Sequence, residues 1–252
     1  MAVLALVFTT CNEDKTQELN DEQSKIDMSD FYVYTDADIE EPIGAAEGKT
    51  SCYSMVNLNR LLNENPGLDK KIYDIKYNTR VFASNMKPGN GNGNGGGNGG
   101  GPGGVGSGGG DPIDNIGVVN IPVYVHVVYA NSTQNVSDQQ INSQISVLNN
   151  DFRATNNDTN QVPSEFAGLI ADTEVNFTLA NTYRHSNSAS SWSTNDAVKS
   201  AYPPVTPSKH LNIWVCNISG AILGYAQFPG GPSATDGVIV LYSSLPGGSA
   251  AP

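Results

Sequence analysis

Residues 210–231 read "HLNIWVCNISGAILGYAQFPGG", and the fold turns on how this stretch is interpreted. Leu211, Ile213 and Val215 alternate with Asn212, Trp214 and Cys216, a period of two that predicts a strand. A turn through Ser219 and Gly220 leads into a second run, residues 222–228, which closes on Pro229, Gly230 and Gly231. Proline cannot donate to a ladder, so the second run predicts a strand whose pairing stops there. No acid, base or nucleophile in the stretch is placed for chemistry. Two uses are open: a backbone edge that captures a peptide, or a β-hairpin whose edge is made safe by Pro and Gly.

Further strands and one helix surround it. In "NIPVYVHVVY" (residues 120–129) Ile121, Val123, Val125 and Val127 share a face, and in "TEVNFTLA" (173–180) Val175, Phe177 and Leu179 do the same. "DGVIVLY" (236–242) supplies another apolar strand. Between them, "SDQQINSQISVLNNDFRAT" (137–155) has Ser137 and Gln140 at capping-box spacing, then the stripe Ile141, Ile145, Leu148 and Phe152, an amphipathic helix with its start marked. The order strand, helix, then four strands predicts an α/β (α+β) fold, with one helix backing a mixed sheet.

The N-terminal half reads differently. Residues 1–11 form a short apolar run closed by Cys11, too short to span a bilayer. It looks like a secretory signal of the lipoprotein kind, with Cys11 the lipidation site, or an ordinary signal in which Cys11 is incidental. Residues 12–45 are acidic and polar and read as a flexible tether. Residues 46–86 carry Met55, Leu58, Leu61 and Leu62 at helical spacing up to Pro66-Gly67, then a second short helix through Leu68, Ile72 and Ile75. Residues 87–114 are a Gly/Asn-rich linker. Its G-x-G-x-x-G match at Gly91–Gly96 has no strand before it or helix after it, and so is no phosphate loop. Residues 115–252 are the globular part.

A net charge of −12 with 15% charged residues gives no basic face for nucleic acid or an anionic membrane. His126, His185 and His210 form no metal-ligand spacing, and no G-x-S-x-G elbow is present. His126 reads as a packed strand residue, His185 and His210 as solvated loop residues. Cys216 lies on a strand, a poor setting for an activated thiol. By motif, the chain contains no complete active site.

The succession "IPVYVHVVY", "SDQQINSQISVLNNDFRATNND", "VNFTLA", "LNIWVCNI", "LGYAQFPGG", "DGVIVLY" resembles the pappalysin (cytophagalysin) family of metzincin zinc peptidases over residues 121–242. The resemblance implies the metzincin N-terminal subdomain, a twisted mixed sheet with a backing helix, as the first half of a catalytic domain. It implies a zinc metalloendopeptidase precursor that hydrolyses peptide bonds with zinc-activated water. The zinc ligands, the general base and the active-site helix are expected beyond residue 252, so the chain as it stands is expected to be inactive. Calcium is a further ion found in some relatives. Residues 46–86 then resemble a pro-segment with Cys52 as the zinc-capping thiol, while pairing of Cys52 with Cys216, or a free Cys52, remains an alternative. Leu223, Gly224, Tyr225 and Ala226 become the edge strand that binds substrate, a peptide or protein lying antiparallel to it. The expected setting is export, as a secreted or lipid-anchored cell-surface monomer. The other reading is a non-catalytic, peptide- or protein-binding surface lipoprotein.

Overall fold

The computed structural model of the chain describes residues 26–33, 51–85 and 117–250. Cys11 and the linker region lie outside the described residues, as does the tether region apart from residues 26–33. The chain divides into two units, one of residues 1–33 and 73–114, the other of residues 34–72 and 115–252. In the first, Arg80 grips Asp30 through both terminal nitrogens (2.6 and 2.9 Å) and Phe31 meets Tyr73 edge-on at 5.1 Å.

The second unit holds a six-stranded sheet. Its strands are β1 (Ser51–Cys52), β2 (Val119–Tyr129), β3 (Val175–Ser186), β4 (Leu211–Cys216), β5 (Ile222–Ala226) and β6 (Val238–Leu241), in the spatial order β1-β5-β6-β4-β2-β3. The α-helices among the described residues are α1 (Ser54–Glu64), α2 (Leu68–Asn85), α3 (Asp138–Phe152) and α4 (Ala197–Ala201); α1, α3 and α4 belong to this unit, and most of α2 to the first. Strands β3, β2, β4 and β6 are mutually parallel, β5 is antiparallel to β6, and β1 is parallel to β5. This is the mixed sheet with a backing helix that the strand pattern and the resemblance predict.

The hairpin alternative for residues 211–228 is not what forms. β6 lies between β4 and β5. The reason is in β4 itself, where every residue after Leu211 is buried. A strand buried on both faces belongs inside the sheet with parallel neighbours on both sides, here β2 and β6. Gly224 then passes so close to β6 that a Cβ on it would sit 2.5 Å from the Ile239 carbonyl oxygen.

The two sheet faces carry separate cores. On one, Val123, Val125 and Val127 of β2, Phe177 of β3 and Ile213 and Val215 of β4 pack beneath Ile141 and Ile145 of α3. Ser137 caps α3 by accepting the Gln140 N–H at 3.2 Å, satisfying one of the orphan donors of the first turn. Near its other end, Asn149 reads the backbone of the edge strand β3: its Nδ2 donates to the Phe177 carbonyl at 3.0 Å and its Oδ1 accepts the Phe177 N–H at 2.6 Å. Phe152, last in the predicted stripe, is 40% exposed and only borders Phe177.

The other face packs Val128, Trp214, Cys216, Ile222, Tyr225 and Ile239 under Val198 of α4. His126 lies on this face, 2% exposed. Its protonation follows from Asn212, whose Nδ2 donates to the Val205 and His210 carbonyls and whose Oδ1 accepts the Val205 N–H. That Oδ1 also faces His126 Nε2 at 3.0 Å, so His126 Nε2 carries the proton and its Nδ1 is bare. His185 Nε2, 3.4 Å from that Nδ1, is therefore the donor. The packed reading of His126 holds. His185, expected to be solvated, is instead half-buried and stacked on Tyr202 at 4.1 Å, because the bulge in the β2–β3 pairing between Val123 and Tyr124 turns it onto this face.

Two predictions follow from this packing. Gly224→Ala drives a methyl into backbone and should cost roughly 1–3 kcal/mol, read as a lowered thermal midpoint; an unchanged midpoint would show that β5 and β6 are not so close. Burial holds the His126 pKa below its ordinary 6.5, the Asn212 bond opposing and His185 adding to the depression. The unfolded chain therefore takes up the proton first as pH falls, and stability drops as pH passes down through 6.5 toward the folded value. Burial lowers the His185 pKa as well, so His126→Phe should reduce that drop in the thermal midpoint without abolishing it, and an unaltered pH dependence would acquit His126.

Candidate functional site

Leu223, Gly224, Tyr225 and Ala226 all lie on β5, but the edge expected to be open is covered. Two-residue β1 runs parallel to β5 with Ser51 opposite Ile222 and Cys52 opposite Gly224. The Tyr53 N–H donates to the Gly224 carbonyl at 3.0 Å. Beyond it the first turn of α1 continues the pairing with side chains: Ser54 Oγ accepts the Ala226 N–H at 3.0 Å and Asn57 Nδ2 donates to the Ala226 carbonyl at 2.9 Å. The outward groups of Gly224 and Ala226 are thus bound by a backbone N–H, a hydroxyl and a side-chain amide in turn. Tyr225 points the other way, its ring buried in the core, and Leu223 is half-buried.

Cys52 is exposed and free, its Sγ 3.4 Å from Ser54 Oγ. Cys216 is also free, buried beside Trp214, and desolvation pushes its thiol up to about 12. The Cys52–Cys216 pairing is therefore not made, and Cys216 is an inert core residue.

Below this edge lies a charged group that no pattern in the sequence announced. Arg60, on α1, reaches the carboxylate of Asp196 and also donates to Asn57 Oδ1 at 2.6 Å and Glu64 at 2.7 Å. Burial works against the Arg60 charge, but Asp196 and Glu64 together outweigh it and hold the Arg60 pKa above its ordinary value. Asp196 precedes α4 in the left-handed region (φ 61°), which Asp tolerates better than most residues. Its backbone N–H donates to the Tyr225 hydroxyl at 3.2 Å. Lys199, fully buried, sits 3.1 Å from Asp196 Oδ1. It donates to the Thr235 carbonyl at 2.7 Å and the Gly237 carbonyl at 3.2 Å, and it lies over the rings of Trp214 and Tyr225. Burial lowers the Lys199 pKa against the pull of Asp196.

Among the described residues no group of three or more His, Cys, Asp or Glu side chains could hold a metal ion. The described residues thus do not form a zinc cradle. What the site can do is bind backbone: it offers a strand edge with both donors and acceptors, beside a buried carboxylate.

No protein-family model matches the chain. An extracellular metalloprotease of Podospora anserina is 31% identical over 145 residues, 52% of this chain and 42% of that protein. One of Verticillium alfalfae is 33% identical over 145 residues, 53% of this chain and 44% of that protein. The chain thus spans less than half the length of these two relatives. Among solved structures, a Tannerella forsythia promirolysin mutant matches with a TM-score of 0.59 and 31% identity over 77% of this chain and 60% of that one. Mature mirolysin of the same organism, in complex with a cleaved peptide, matches with a TM-score of 0.50 and 42% identity over 51% and 54%. The chain is therefore similar in sequence to extracellular metalloproteases over about half of its length, and its fold is similar to that of promirolysin over 77% of it.

Proposed function

We propose that the chain is the N-terminal part of the precursor of an exported zinc metalloendopeptidase of the pappalysin type. Residues 46–86 are its pro-segment, 87–114 a linker, and 115–252 the first half of the catalytic domain. Residues 1–11 are the export signal, with Cys11 the lipid attachment point, and residues 12–45 the tether behind it. The observation that carries this reading is the pairing of β1 with β5. A short N-terminal segment pairs with a strand edge of the kind that can take up an extended peptide. Support comes also from the pro-form comparison, whose 77% share of the chain is more than residues 115–252 can supply alone.

The direction of the pairing explains how such a segment blocks a rim without being a substrate. A substrate is expected antiparallel to β5, whereas β1 is parallel to it. The backbone of a reversed peptide presents its carbonyls in the wrong sense at the reacting position. Cys52 pairs opposite Gly224 with its thiol exposed, and we assign it as the thiol that caps the catalytic zinc, whose ligands are expected past residue 252. Zinc supplies the activated water when bound. Within this chain, β5 would bind and orient the peptide backbone, and Gly224 lets β5 lie close against β6.

The coding sequence beyond codon 252 tests the reading. An H-E-x-x-H pattern within about twenty codons is expected, and a stop codon there would favour the non-catalytic surface lipoprotein. In the longer product, Cys52→Ser should raise peptide release before any processing, and chelation should abolish it. Undiminished latency of the Cys52→Ser form would remove the thiol from the mechanism.

A further inference from the structure

We propose that Arg60 and Asp196 form a second latch, independent of the thiol, that holds the N-terminal segment over the β5 edge. This rests on reading residues 46–86 as a pro-segment, and concerns how that segment is held and released.

The two halves of the latch are built from different parts of the chain. Arg60 is set on α1 by Asn57 and Glu64. Asp196 is set by the sheet-bearing part: its backbone N–H by the Tyr225 hydroxyl, its carboxylate by Lys199. Lys199 in turn is fixed by the carbonyls of Thr235 and Gly237. The acid is therefore in place whether or not Arg60 arrives, a preformed receptor for a guanidinium.

Charge balance makes the contact releasable. A buried carboxylate that loses its one cation is left uncompensated, and such a contact cannot open cheaply. Asp196 has two cations. When Arg60 leaves, Lys199 still neutralises it, and Arg60 returns to water with Glu64, 53% exposed, beside it. The closed state is also imperfect: Arg60 Nε is buried without a hydrogen-bond partner, whereas Asp196 Oδ1 faces the Lys199 ammonium at 3.1 Å. Unsatisfied buried polar atoms are rare in permanent cores. This one belongs to the joint that must part, and opening gives it water.

The latch also reaches the rim directly. Tyr225, which accepts from Asp196, stands between Gly224 and Ala226, the two residues bonded to Tyr53 and Ser54. Cys52 and Arg60 thus hold one short element at two points, and loss of either leaves the other.

Hydrogen exchange on the full 252-residue chain reads the latch without any peptidase activity. The reporters are the Tyr53 and Ala226 amides, whose hydrogen bonds join the two parts. Arg60→Gln should speed both by roughly tenfold or more, with Val125 and Val215 in the core unchanged. Arg60→Lys should restore part of the protection, and Cys52→Ser should leave both amides at wild-type rates. Wild-type rates at Tyr53 and Ala226 in Arg60→Gln would overturn the latch, and so would equal acceleration of the core amides, the mark of a merely structural contact. Because exchange needs no zinc, failure here leaves the metalloprotease reading standing, and failure of that reading leaves the exchange result interpretable.

Discussion

Strand β5 runs against the direction of its sheet. The other long strands are parallel to one another, and β5 turns back to lie antiparallel beside β6. Its outer side therefore carries backbone donors and acceptors with no further long strand to meet them. Backbone groups left without partners are costly when buried and adhesive when exposed. The N-terminal segment answers this constraint with the least possible secondary structure: two residues of β1, then Tyr53, Ser54 and Asn57 as individual bonds to Gly224 and Ala226. A hydroxyl and an amide imitate a strand where the chain has already turned into a helix. The same device appears at the opposite edge, where Asn149 of α3 pairs with both backbone groups of Phe177.

Covering the edge draws the segment into the core behind it. Tyr53 packs against the cluster of Trp214, Tyr225 and Ile239, and Val56, Leu58, Leu61 and Leu62 of α1 are buried. Beneath them, burying Lys199 completely demands that its charge be met, and Asp196, two backbone carbonyls and two aromatic rings meet it. The polar group is thus a consequence of closing the sheet near β5, and it supplies the carboxylate that Arg60 finds.

The elements legible in the sequence were those with a long, regular period. β2, β3, β4 and α3 each present several apolar residues in phase, and burial of one face reads directly as that phase. The arrangement of β4, β6 and β5 was not legible, since residues 211–216 and 222–226 are neighbours in sequence and invite a hairpin, while the choice of partner depends on β4 being buried on both faces. β1 has only two residues and so no period at all. Asp196 and Lys199 lie among Ser, Asn and Thr in a stretch that reads as loop, and Arg60 meets Asp196 across 136 positions. His126 likewise owes its tautomer to Asn212, 86 positions away. Such pairs carry no local signal, because each residue type is ordinary where it stands. Nor did the pattern of residues 222–228 choose between a harmless edge and a peptide-binding one; that choice rested on the resemblance alone.

The weakness of each contact on the rim is compatible with a firm cover because the segment belongs to the same chain. A free peptide offering a two-residue strand pairing, one further backbone bond, two side-chain bonds and an ion pair would lose most of their benefit to the entropy of association. Joined to the sheet by the intervening chain, it docks at an effective concentration of the order of millimolar. Weak bonds then suffice while the chain is whole, and the same bonds fall short once it is cut. An ion pair alone would make the cover depend on one equilibrium. Holding the segment by backbone pairing and a guanidinium together makes closure cooperative, so that cutting the connection would remove the advantage of both at once.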